Sequence, residues 1–484
     1  MAILEWIEKI NNWIQPLVWG WPVLCAILLA GANFSFRLNF FQITHCKLWI
    51  KNTLGKIFAS KKEGSRTSGI SQFQALTTAL AGSIGTGNIV GVATAITIGG
   101  PGAIFWMWMS SVLGMMTIFA ENVLGMKYRI KNAKGEWLGG AMYYISRGIH
   151  SKPLAILFAG ACVLASLGMG NMAQANSIAG ALKDCFGANT QITGLVLAAM
   201  LVMITFGGIQ RTAKVTEKLV PFMALGYLLA GVLVLAVNWR SLGGAFRLIF
   251  SEAFSLRAAA GGTGGIVMLN ALKCGVSRGI FTNEAGLGSS VMAHSSSSGT
   301  EPVEQGMWGI FQVFIDTIVM CSFTALCILS TDVLQTGKDG AALSAAAFQT
   351  VLGRFGGTFI SISITLFAFA TMLAWCYYGQ RGLEYIIGGK SAVPYRLVFA
   401  AVAWGSCSMD LHLVWNICDT FNGFMAIPNL IALLLLSGEV VKETQSYLAR
   451  HNLKSDHKNS LYLRKCRSCA IEIIIRKFLK NLLH

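Results

Sequence analysis

Long apolar stretches recur along almost the whole chain, and each is about as long as a helix that crosses a lipid bilayer. Such a helix needs roughly 20 apolar residues. Candidate spans lie at residues 16–35, 71–99, 102–126, 153–183, 190–208, 217–238, 263–292, 305–331, 356–380, 393–409 and 412–437. This pattern predicts an all-α integral membrane protein with eleven transmembrane helices.

Glycine and polar residues interrupt two of the predicted spans near the middle of the bilayer. The second span contains the run Ala81-Gly-Ser-Ile-Gly-Thr-Gly-Asn88, and a similar run extends from Gly275 to Gly288 in the seventh. Each glycine destabilises a helix by about 1 kcal/mol relative to alanine. Non-helical backbone at this depth persists only where protein or a water-filled cavity satisfies its polar groups. Both runs therefore predict interrupted helices.

The two interruptions occupy corresponding positions, because each opens a set of five predicted spans. Interrupted helices in this arrangement indicate the binding site of a secondary transporter. Since five is odd, the second set must be inverted relative to the first. Close packing of helices through small residues is the alternative interpretation. It accounts for the glycines but not for four polar residues at the same depth, Thr86, Asn88, Asn283 and Glu284.

Charge is scarce in the spans and unevenly distributed between the loops. Charged residues make up 12% of the chain, and the formal net charge is +17. Basic residues are concentrated in loops 36–70 and 127–152. Because cytoplasmic loops are enriched in Lys and Arg, this bias predicts an external N-terminus and a cytoplasmic C-terminus. The positive charge is thus attributed to membrane topology, and no nucleic acid partner is expected.

The pattern divides the chain into four regions. Residues 1–70 form an N-terminal helix and a basic loop, 71–238 the first repeat, 263–437 the inverted second repeat, and 438–484 a basic cytoplasmic tail. Within the tail, the apolar run 471–475 is interpreted either as an amphipathic helix on the membrane surface or as a solvated segment. The lone C-x-x-C of Cys466 and Cys469 does not predict a metal site.

Several motifs, in the same order along the chain, resemble the alanine or glycine:cation symporter family. They are Gly85-Thr-Gly-Asn-Ile89, Ile98-Gly-Gly-Pro-Gly102, Gly139-Gly-Ala-Met-Tyr-Tyr144, Gly168-Met-Gly-Asn-Met-Ala-Gln174, Gly279-Ile-Phe-Thr-Asn-Glu-Ala-Gly-Leu-Gly288, Trp375-Cys-Tyr-Tyr-Gly379 and Ile427-Pro-Asn-Leu-Ile-Ala432. The resemblance covers about residues 1–445 and is of the sodium:alanine symporter type. It implies one extra helix followed by a 5+5 inverted repeat of the leucine-transporter type.

A small zwitterionic amino acid needs donors for its carboxylate and acceptors for its ammonium group, and an interrupted helix supplies both. We expect the carboxylate near Gly85, Thr86 and Gly87, where glycine permits close approach of the backbone. The resemblance implies contact from Gln174 and from Trp375, which would cover the substrate side chain. Further candidate substrate-binding residues are Asn88, Asn171, Phe281, Thr282 and Asn283. For Asn171 and Gln174, hydrogen bonding between helices is the alternative role.

The resemblance also implies a sodium site formed by Ala81, Ile84, Phe367, Ala370 and Thr371. Many family members have a hydroxyl where this chain has Ala370, so one oxygen ligand is missing. Asp316 is a possible coupling carboxylate, because ionisable residues inside a membrane are expensive and usually functional. Pairing with Lys273 or Arg278 is its alternative role. Glu121 is expected to extend towards the cytoplasmic surface, and His294 to lie in a solvated loop.

Together these features predict a sodium-coupled symporter of a small neutral amino acid, alanine or glycine, in a prokaryotic plasma membrane. No catalytic residues and no cofactor other than the co-transported sodium are expected. Proton coupling is the alternative mechanism. A membrane-embedded enzyme is less favoured because H-E-x-x-H is absent, and ATP-driven transport is disfavoured because there is no Walker A motif. A channel would need charged rings or repeated pore-lining segments, which the sequence lacks.

Overall fold

The computed structural model describes residues 11, 13–14, 20–59, 69–133, 135–254, 264–299, 301–409 and 411–451, and this part of the chain is mostly helical. The run 471–475 and the C-x-x-C of Cys466 and Cys469 lie outside the described residues. In the first half the helices are α1 (Trp21–Arg37), α2 (Phe41–Thr44), α3 (Cys46–Ala59), α4 (Gln72–Ser83), α5 (Val92–Gly99), α6 (Ala103–Tyr128), α7 (Ala141–Gly148), α8 (Lys152–Leu167), α9 (Ala173–Phe186), α10 (Thr190–Thr205), α11 (Gly208–Val237) and α12 (Leu242–Ala253).

The second half continues in the same way, and a small β-hairpin lies between α6 and α7. The later helices are α13 (Gly264–Asn283), α14 (Val291–Ser295), α15 (Pro302–Val313), α16 (Ser322–Leu329), α17 (Gly340–Leu352), α18 (Arg354–Ile387), α19 (Ala392–Ser406), α20 (Leu411–Leu435) and α21 (Ser437–Arg450). The hairpin strands are β1 (Ile130–Lys131) and β2 (Trp137–Leu138), which pair antiparallel.

Several of these helices are long and apolar enough to cross a membrane. Within the described residues, five continuous helical segments meet this condition, or up to seven if each of two bent helix pairs is one span. They are Ala103–Tyr128, Lys152–Phe186, Gly208–Val237, Pro302–Leu329 and Arg354–Ile387. Shorter apolar helices occur at Trp21–Arg37, Thr190–Thr205 and Gly340–Leu352. The predicted total of eleven spans and the predicted regions stay predictions.

The outer surface of the molecule is apolar where a water-soluble protein would be polar. Along α11, Phe222, Leu225, Leu229 and Val237 are 60% to 72% exposed. Their spacings of three, four and eight residues place them on one face of the helix. A continuous exposed apolar face of this length is typical of contact with lipid rather than with water.

The first interruption begins where the sequence predicts it. Helix α4 starts with a capping box, in which the Ser71 hydroxyl accepts from the Gln74 amide and the Gln74 side chain accepts from the Ser71 amide. It ends at Ser83, and Ile84 has an extended backbone (φ −75°, ψ 90°). A π-helical turn over Gly87–Gly91 then leads into α5. The two halves of the span are bent by 51°.

The second interruption is shorter than the sequence predicts. Helix α13 continues through Gly275 and Gly279 to Asn283, and Glu284 then takes a left-handed backbone (φ 61°). The irregular backbone extends from residue 284 to residue 290, and α14 begins at Val291. Gly275 and Gly279 instead bring α13 close to α6: a Cβ on Gly279 would lie 2.7 Å from the Ser110 Oγ. At these two glycines, close helix packing is the correct interpretation.

Helix α18 runs through the centre of the bundle and joins the parts of the candidate site. It packs against α4, α8, α9 and α11, so it contacts both the first interrupted helix and its neighbours. Residues 367–379 of α18 are all buried. Side chains on this central helix are therefore held in fixed positions next to the interruption of the first span.

Candidate functional site

The first interruption packs tightly against two other helices. A Cβ on Gly85 would lie 2.5 Å from the Thr371 Oγ1 on α18, and one on Gly87 would lie 2.7 Å from the Thr282 Cγ2 on α13. The Gly85 amide donates to the Asn88 Oδ1 at 3.0 Å, which stabilises the turn. The candidate residues Gly85, Thr86, Gly87 and Asn88 are thus buried at the meeting point of α4, α13 and α18.

Three of the five residues expected to bind sodium, Ile84, Phe367 and Thr371, meet at the end of α4. The Thr371 hydroxyl donates to the Phe367 carbonyl at 3.1 Å and lies 3.5 Å from the Ile84 carbonyl oxygen. Ala81, Ile84, Phe367 and Ala370 are fully buried. Because the last carbonyls of a helix have no partners within it, this helix end can offer oxygen ligands. Oxygen ligands suit a hard monovalent cation.

Gln174 and Asn171 face different partners, although Asn171 lies in the π-helical turn Gly168–Met172 and Gln174 follows it by two residues. The Thr86 hydroxyl donates to the Gln174 Oε1 at 3.1 Å, so Gln174 reaches the first interruption. The Asn171 amide donates to the Phe399 carbonyl on α19 at 2.6 Å. Its described hydrogen bond therefore joins two helices, which corresponds to the alternative role considered for this residue.

Trp375 lies fully buried between the end of α4 and the π-helical turn before α9. Its indole Nε1 donates to the Gly82 carbonyl at 3.3 Å. A Cβ on Gly170 would overlap the Trp375 side chain. The indole therefore rests on a glycine of one helix and is tethered to the interruption of another.

The three candidate residues of the seventh span lie in the last turn of α13 rather than within the irregular segment. The Thr282 hydroxyl donates to the Gly279 carbonyl at 2.9 Å. The Asn283 amide donates to the Thr317 hydroxyl at 3.1 Å, and its Oδ1 accepts from the Ala285 amide at 3.0 Å. Phe281 is buried and its ring lies 3.5 Å from a Cβ built on Gly87.

Asp316 is connected directly to the first interruption. It lies in a π-helical turn, Phe314–Cys321, and π-helical turns are frequent at functional sites. The Asn88 amide donates to the Asp316 Oδ1 at 2.8 Å, and the Thr317 hydroxyl donates to its Oδ2 at 2.9 Å. Two uncharged residues thus hold the carboxylate within reach of the candidate site.

Glu121 stabilises the second interruption, and the expectation that it extends to the cytoplasmic surface is wrong. Its side chain is fully buried. The Glu121 Oε1 accepts from the amides of Gly286 and Gly288 at 3.1 and 3.2 Å and from the Asn429 side chain at 2.7 Å. Asn429 in turn accepts from the Tyr144 hydroxyl. The two motifs that contain Asn429 and Tyr144 were the available sequence signal for this network.

His294 is also buried, and the expectation of a solvated loop is wrong. Its Nε2 lies 3.0 Å from the Gln312 Oε1, and the Gln305 amide lies 2.7 Å from its Nδ1. The segment just beyond it pairs with residues before α4, since the Ser298 amide donates to the Ile70 carbonyl at 2.7 Å. Both interrupted spans are therefore joined at this end of the molecule.

Several known proteins are similar to this chain in sequence. The model of the sodium:alanine symporter family matches residues 4–461. The sodium/alanine symporter AgcS of Methanococcus maripaludis is 43% identical over 452 residues, which are 92% of this chain and 98% of that protein. The putative sodium/proton-dependent alanine carrier protein YrbD of Bacillus subtilis is 35% identical over 452 residues, which are 90% of this chain and 91% of that protein.

A solved structure shares the fold at low sequence identity. The crystal structure of MhsT in complex with L-phenylalanine superposes with a TM-score of 0.59 at 15% identity, and the match covers 86% of this chain and 99% of that one. This match confirms the predicted fold class, the leucine-transporter type. The family and these relatives are transporters and not enzymes. The chain belongs to the sodium:alanine symporter family.

Proposed function

We propose that this protein uses the inward movement of sodium to drive uptake of a small neutral amino acid, alanine or glycine. The observation that carries the proposal is the meeting of the Thr371 hydroxyl with the Ile84 carbonyl at 3.5 Å, where α4 ends. Membership of the sodium:alanine symporter family supports the choice of ion and the class of substrate. No cofactor beyond the transported ion is needed.

Sodium binds between α4 and α18 in this proposal. The carbonyls of Ala81 and Ile84 and the Thr371 hydroxyl supply oxygen ligands, together with backbone at Phe367 and Ala370. Ala370 adds no side-chain oxygen. The site is consequently poorer in ligands than it would be with a serine at that position, and a higher sodium concentration is needed to fill it.

The amino acid binds immediately beyond the sodium. Its carboxylate lies at the backbone amides of Gly85–Gly87, where the helix that follows favours negative charge. Asn88 completes the polar part, and Gln174, which accepts from the Thr86 hydroxyl, closes one side. Asn171 joins two helices through its bond to the Phe399 carbonyl and supports the site from behind. Phe281, Thr282 and Asn283 approach from α13, and Trp375 covers the substrate side chain.

Sodium binding and amino acid binding are coupled because both ligands contact the same segment of the chain. The sodium ligands Ala81 and Ile84 and the substrate-binding residues Gly85–Gly87 lie close together along one interrupted helix. Each ligand therefore stabilises the backbone geometry that the other requires, and each raises the affinity for the other by the same factor. Alternating access then carries both across the membrane.

Proton coupling is the second candidate mechanism, and Asp316 is the observation that favours it. This buried carboxylate is bonded to Asn88, next to the proposed substrate site. A carboxylate in that position can bind a proton or contribute to a second cation site. The relative YrbD is named a putative sodium/proton-dependent alanine carrier protein.

The protein is proposed to reside in the plasma membrane of a prokaryote, with an external N-terminus and a cytoplasmic C-terminus. The concentration of Lys and Arg in the loops at 36–70 and 127–152 supports this orientation.

Binding measurements on the purified protein test the site separately from transport. Radiolabelled alanine is titrated in detergent with sodium, with lithium, and with potassium as the control cation at constant ionic strength. Sodium is expected to raise alanine affinity by about 5- to 150-fold, the usual range of coupling between sites. If alanine affinity is equal in all three salts and depends on pH, the coupling ion is the proton and not sodium.

A further inference from the structure

A cavity of about 760 Å³ lies at the predicted cytoplasmic end of the molecule, beyond the inner end of α18. Its lining comes from the β-hairpin, the start of α7, the turn between α10 and α11, the end of α18, and the connection to α19 with the start of that helix. Its polar lining residues include Glu136, Gln380, Arg381, Glu384, Lys390 and Arg396. None of the candidate substrate or sodium residues lines it.

Two arginines in this cavity are almost completely buried. Arg381 is 8% exposed and Arg396 is 9% exposed. Arg381 forms ion pairs with both acidic residues of the lining. Its guanidinium lies 2.7 Å from the Glu384 carboxylate and 3.8 Å from that of Glu136. The charge of Arg381 is therefore compensated within the protein.

Arg396 makes no such ion pair, and the carboxylates of Glu384 and Glu136 act on its charge only at longer range. Its Nε donates to the Gln380 Oε1 at 2.8 Å, and its Nη1 donates to the Phe206 carbonyl at 3.4 Å. Both acceptors are neutral, and the ion pairs between described residues include neither Arg396 nor Lys390. A buried charge that lacks a directly bonded counter-ion is unfavourable. Three cations (Arg381, Lys390 and Arg396) and two carboxylates (Glu136 and Glu384) line the cavity, which leaves one net positive charge for an anion to neutralise.

The mouth of the cavity continues into the apolar surface of the molecule. Phe206 and Val393 line the cavity and are 44% and 47% exposed. Leu397, one helical turn beyond Val393 on α19, is 51% exposed, and Ile387 at the end of α18 is 65% exposed. An occupant with an anionic head and an apolar chain matches both parts of this surface.

We propose that this cavity binds the headgroup of an anionic phospholipid. The phosphodiester lies against the Arg396 guanidinium with Lys390 at the mouth, and an acyl chain follows Val393 and Leu397 along α19. The shared chemistry is that of a phosphate anion, which a guanidinium binds through charge-assisted hydrogen bonds. Basic pockets between helices on the cytoplasmic side are suited to such headgroups. The proposal does not depend on the identity of the transported substrate.

Lipid-dependent thermal stability tests the proposal. The purified full-length protein is titrated in detergent with phosphatidylglycerol, with phosphatidylcholine, or with inorganic phosphate, and the midpoint of thermal unfolding is followed by tryptophan fluorescence. Phosphatidylglycerol is expected to raise the midpoint at concentrations about tenfold or more below those at which phosphatidylcholine does. Arg396→Gln is expected to abolish this tenfold preference. The matched control Arg147→Gln, at an exposed arginine outside the cavity, keeps it.

A second variant keeps the proposal testable if Arg396→Gln does not fold. Lys390 is exposed at the mouth, so Lys390→Glu reverses a charge without disturbing packing, and it is expected to weaken the response to phosphatidylglycerol several-fold. Identical responses of the wild type and both variants to phosphatidylglycerol would overturn the proposal. Inorganic phosphate alone could raise the midpoint as much as the lipid does, in a way that depends on Arg396. That result would show that the cavity binds free phosphate rather than a lipid headgroup, and it would overturn the proposal.

Discussion

Thr371 is the residue on which the proposed ion site depends most. Among the five proposed sodium-binding residues it has the one side-chain hydroxyl, since the other four are Ala81, Ile84, Phe367 and Ala370. Its Oγ1 already faces the Ile84 carbonyl at 3.5 Å. Changes at this position act on a single ligand oxygen without altering the interrupted helix itself.

Thr371→Val keeps the shape of the side chain and removes one oxygen from a partly dehydrated ion. A missing polar partner costs about 1–3 kcal/mol. The sodium concentration for half-maximal alanine uptake is therefore expected to rise roughly 5- to 150-fold. Alanine affinity at saturating sodium should change far less.

Ala370→Ser is the complementary change, because it adds a hydroxyl next to Thr371 at another proposed sodium-binding position and should lower the sodium requirement. Sodium titrations of uptake measure both variants. An unchanged sodium dependence in Thr371→Val would place the cation elsewhere, and Asp316 would be the next residue to vary.

Trp375 controls the size of the substrate in the proposed site. Its indole is fully buried beside Gly170 and bonded to the Gly82 carbonyl. Trp375→Ala opens the volume of an indole, so larger neutral amino acids should compete with radiolabelled alanine. Selection by side-chain size is modest, and a change of about 10- to 100-fold in relative affinity is expected. Trp239→Ala, at a tryptophan that is 64% exposed, serves as the control. If Trp375→Ala still binds alanine and its substrate range is unchanged, Trp375 does not contact the substrate side chain.

At the scale of the element, two glycines of the first interruption have different surroundings, so their substitution distinguishes the effect of close packing from that of backbone flexibility. A Cβ on Gly85 would lie 2.5 Å from the Thr371 Oγ1, whereas one on Gly91 would have no neighbour within 4 Å. Gly85→Ala is expected to cost about 1–3 kcal/mol of overpacking and to impair sodium-dependent alanine binding. Gly91→Ala, its matched control, should be neutral or stabilise by up to about 1 kcal/mol. Thermal unfolding and sodium-dependent binding are measured for both; equal effects would mean that Gly85 does not pack against Thr371.

The two interrupted helices also show how far sequence alone predicts elements. The first interruption was predicted closely because Gly85, Thr86 and Gly87 combine helix-breaking residues with a polar side chain. The start of the second was placed too early, at Gly275. A glycine that allows α13 to approach α6 has the same local sequence signal as a glycine that breaks a helix. Only the packing partner distinguishes them.

Contacts that are distant in sequence were the least predictable part of the site. Glu121 holds the second interruption through Gly286 and Gly288, 165 and 167 residues later, and through Asn429, 308 residues later. No pattern within one helix relates these residues. The position of Gln174 near the first interruption followed from the family resemblance, and its hydrogen bond with Thr86 became visible only in three dimensions.

Orientation in the membrane is a property of the whole molecule, and the loop charges make a direct prediction about it. A reporter that is active only in the cytoplasm, fused after Arg147, should be active, because residues 127–152 carry a high density of Lys and Arg. The same reporter fused after Arg240, in the connection that follows α11, should be inactive. A periplasmic reporter at the same two sites supplies the control and should give the opposite pattern. Reversed activities would invert the proposed topology.

The most direct test of the account is whether a sodium gradient alone drives alanine into proteoliposomes. Purified protein is reconstituted, the membrane potential is clamped, and radiolabelled alanine accumulation is measured with an inward sodium, lithium or proton gradient. The account predicts accumulation above the external concentration with sodium, collapse of that gradient on adding a sodium ionophore, and strong impairment in Gly85→Ala. Accumulation that requires a pH gradient and is indifferent to sodium would contradict it.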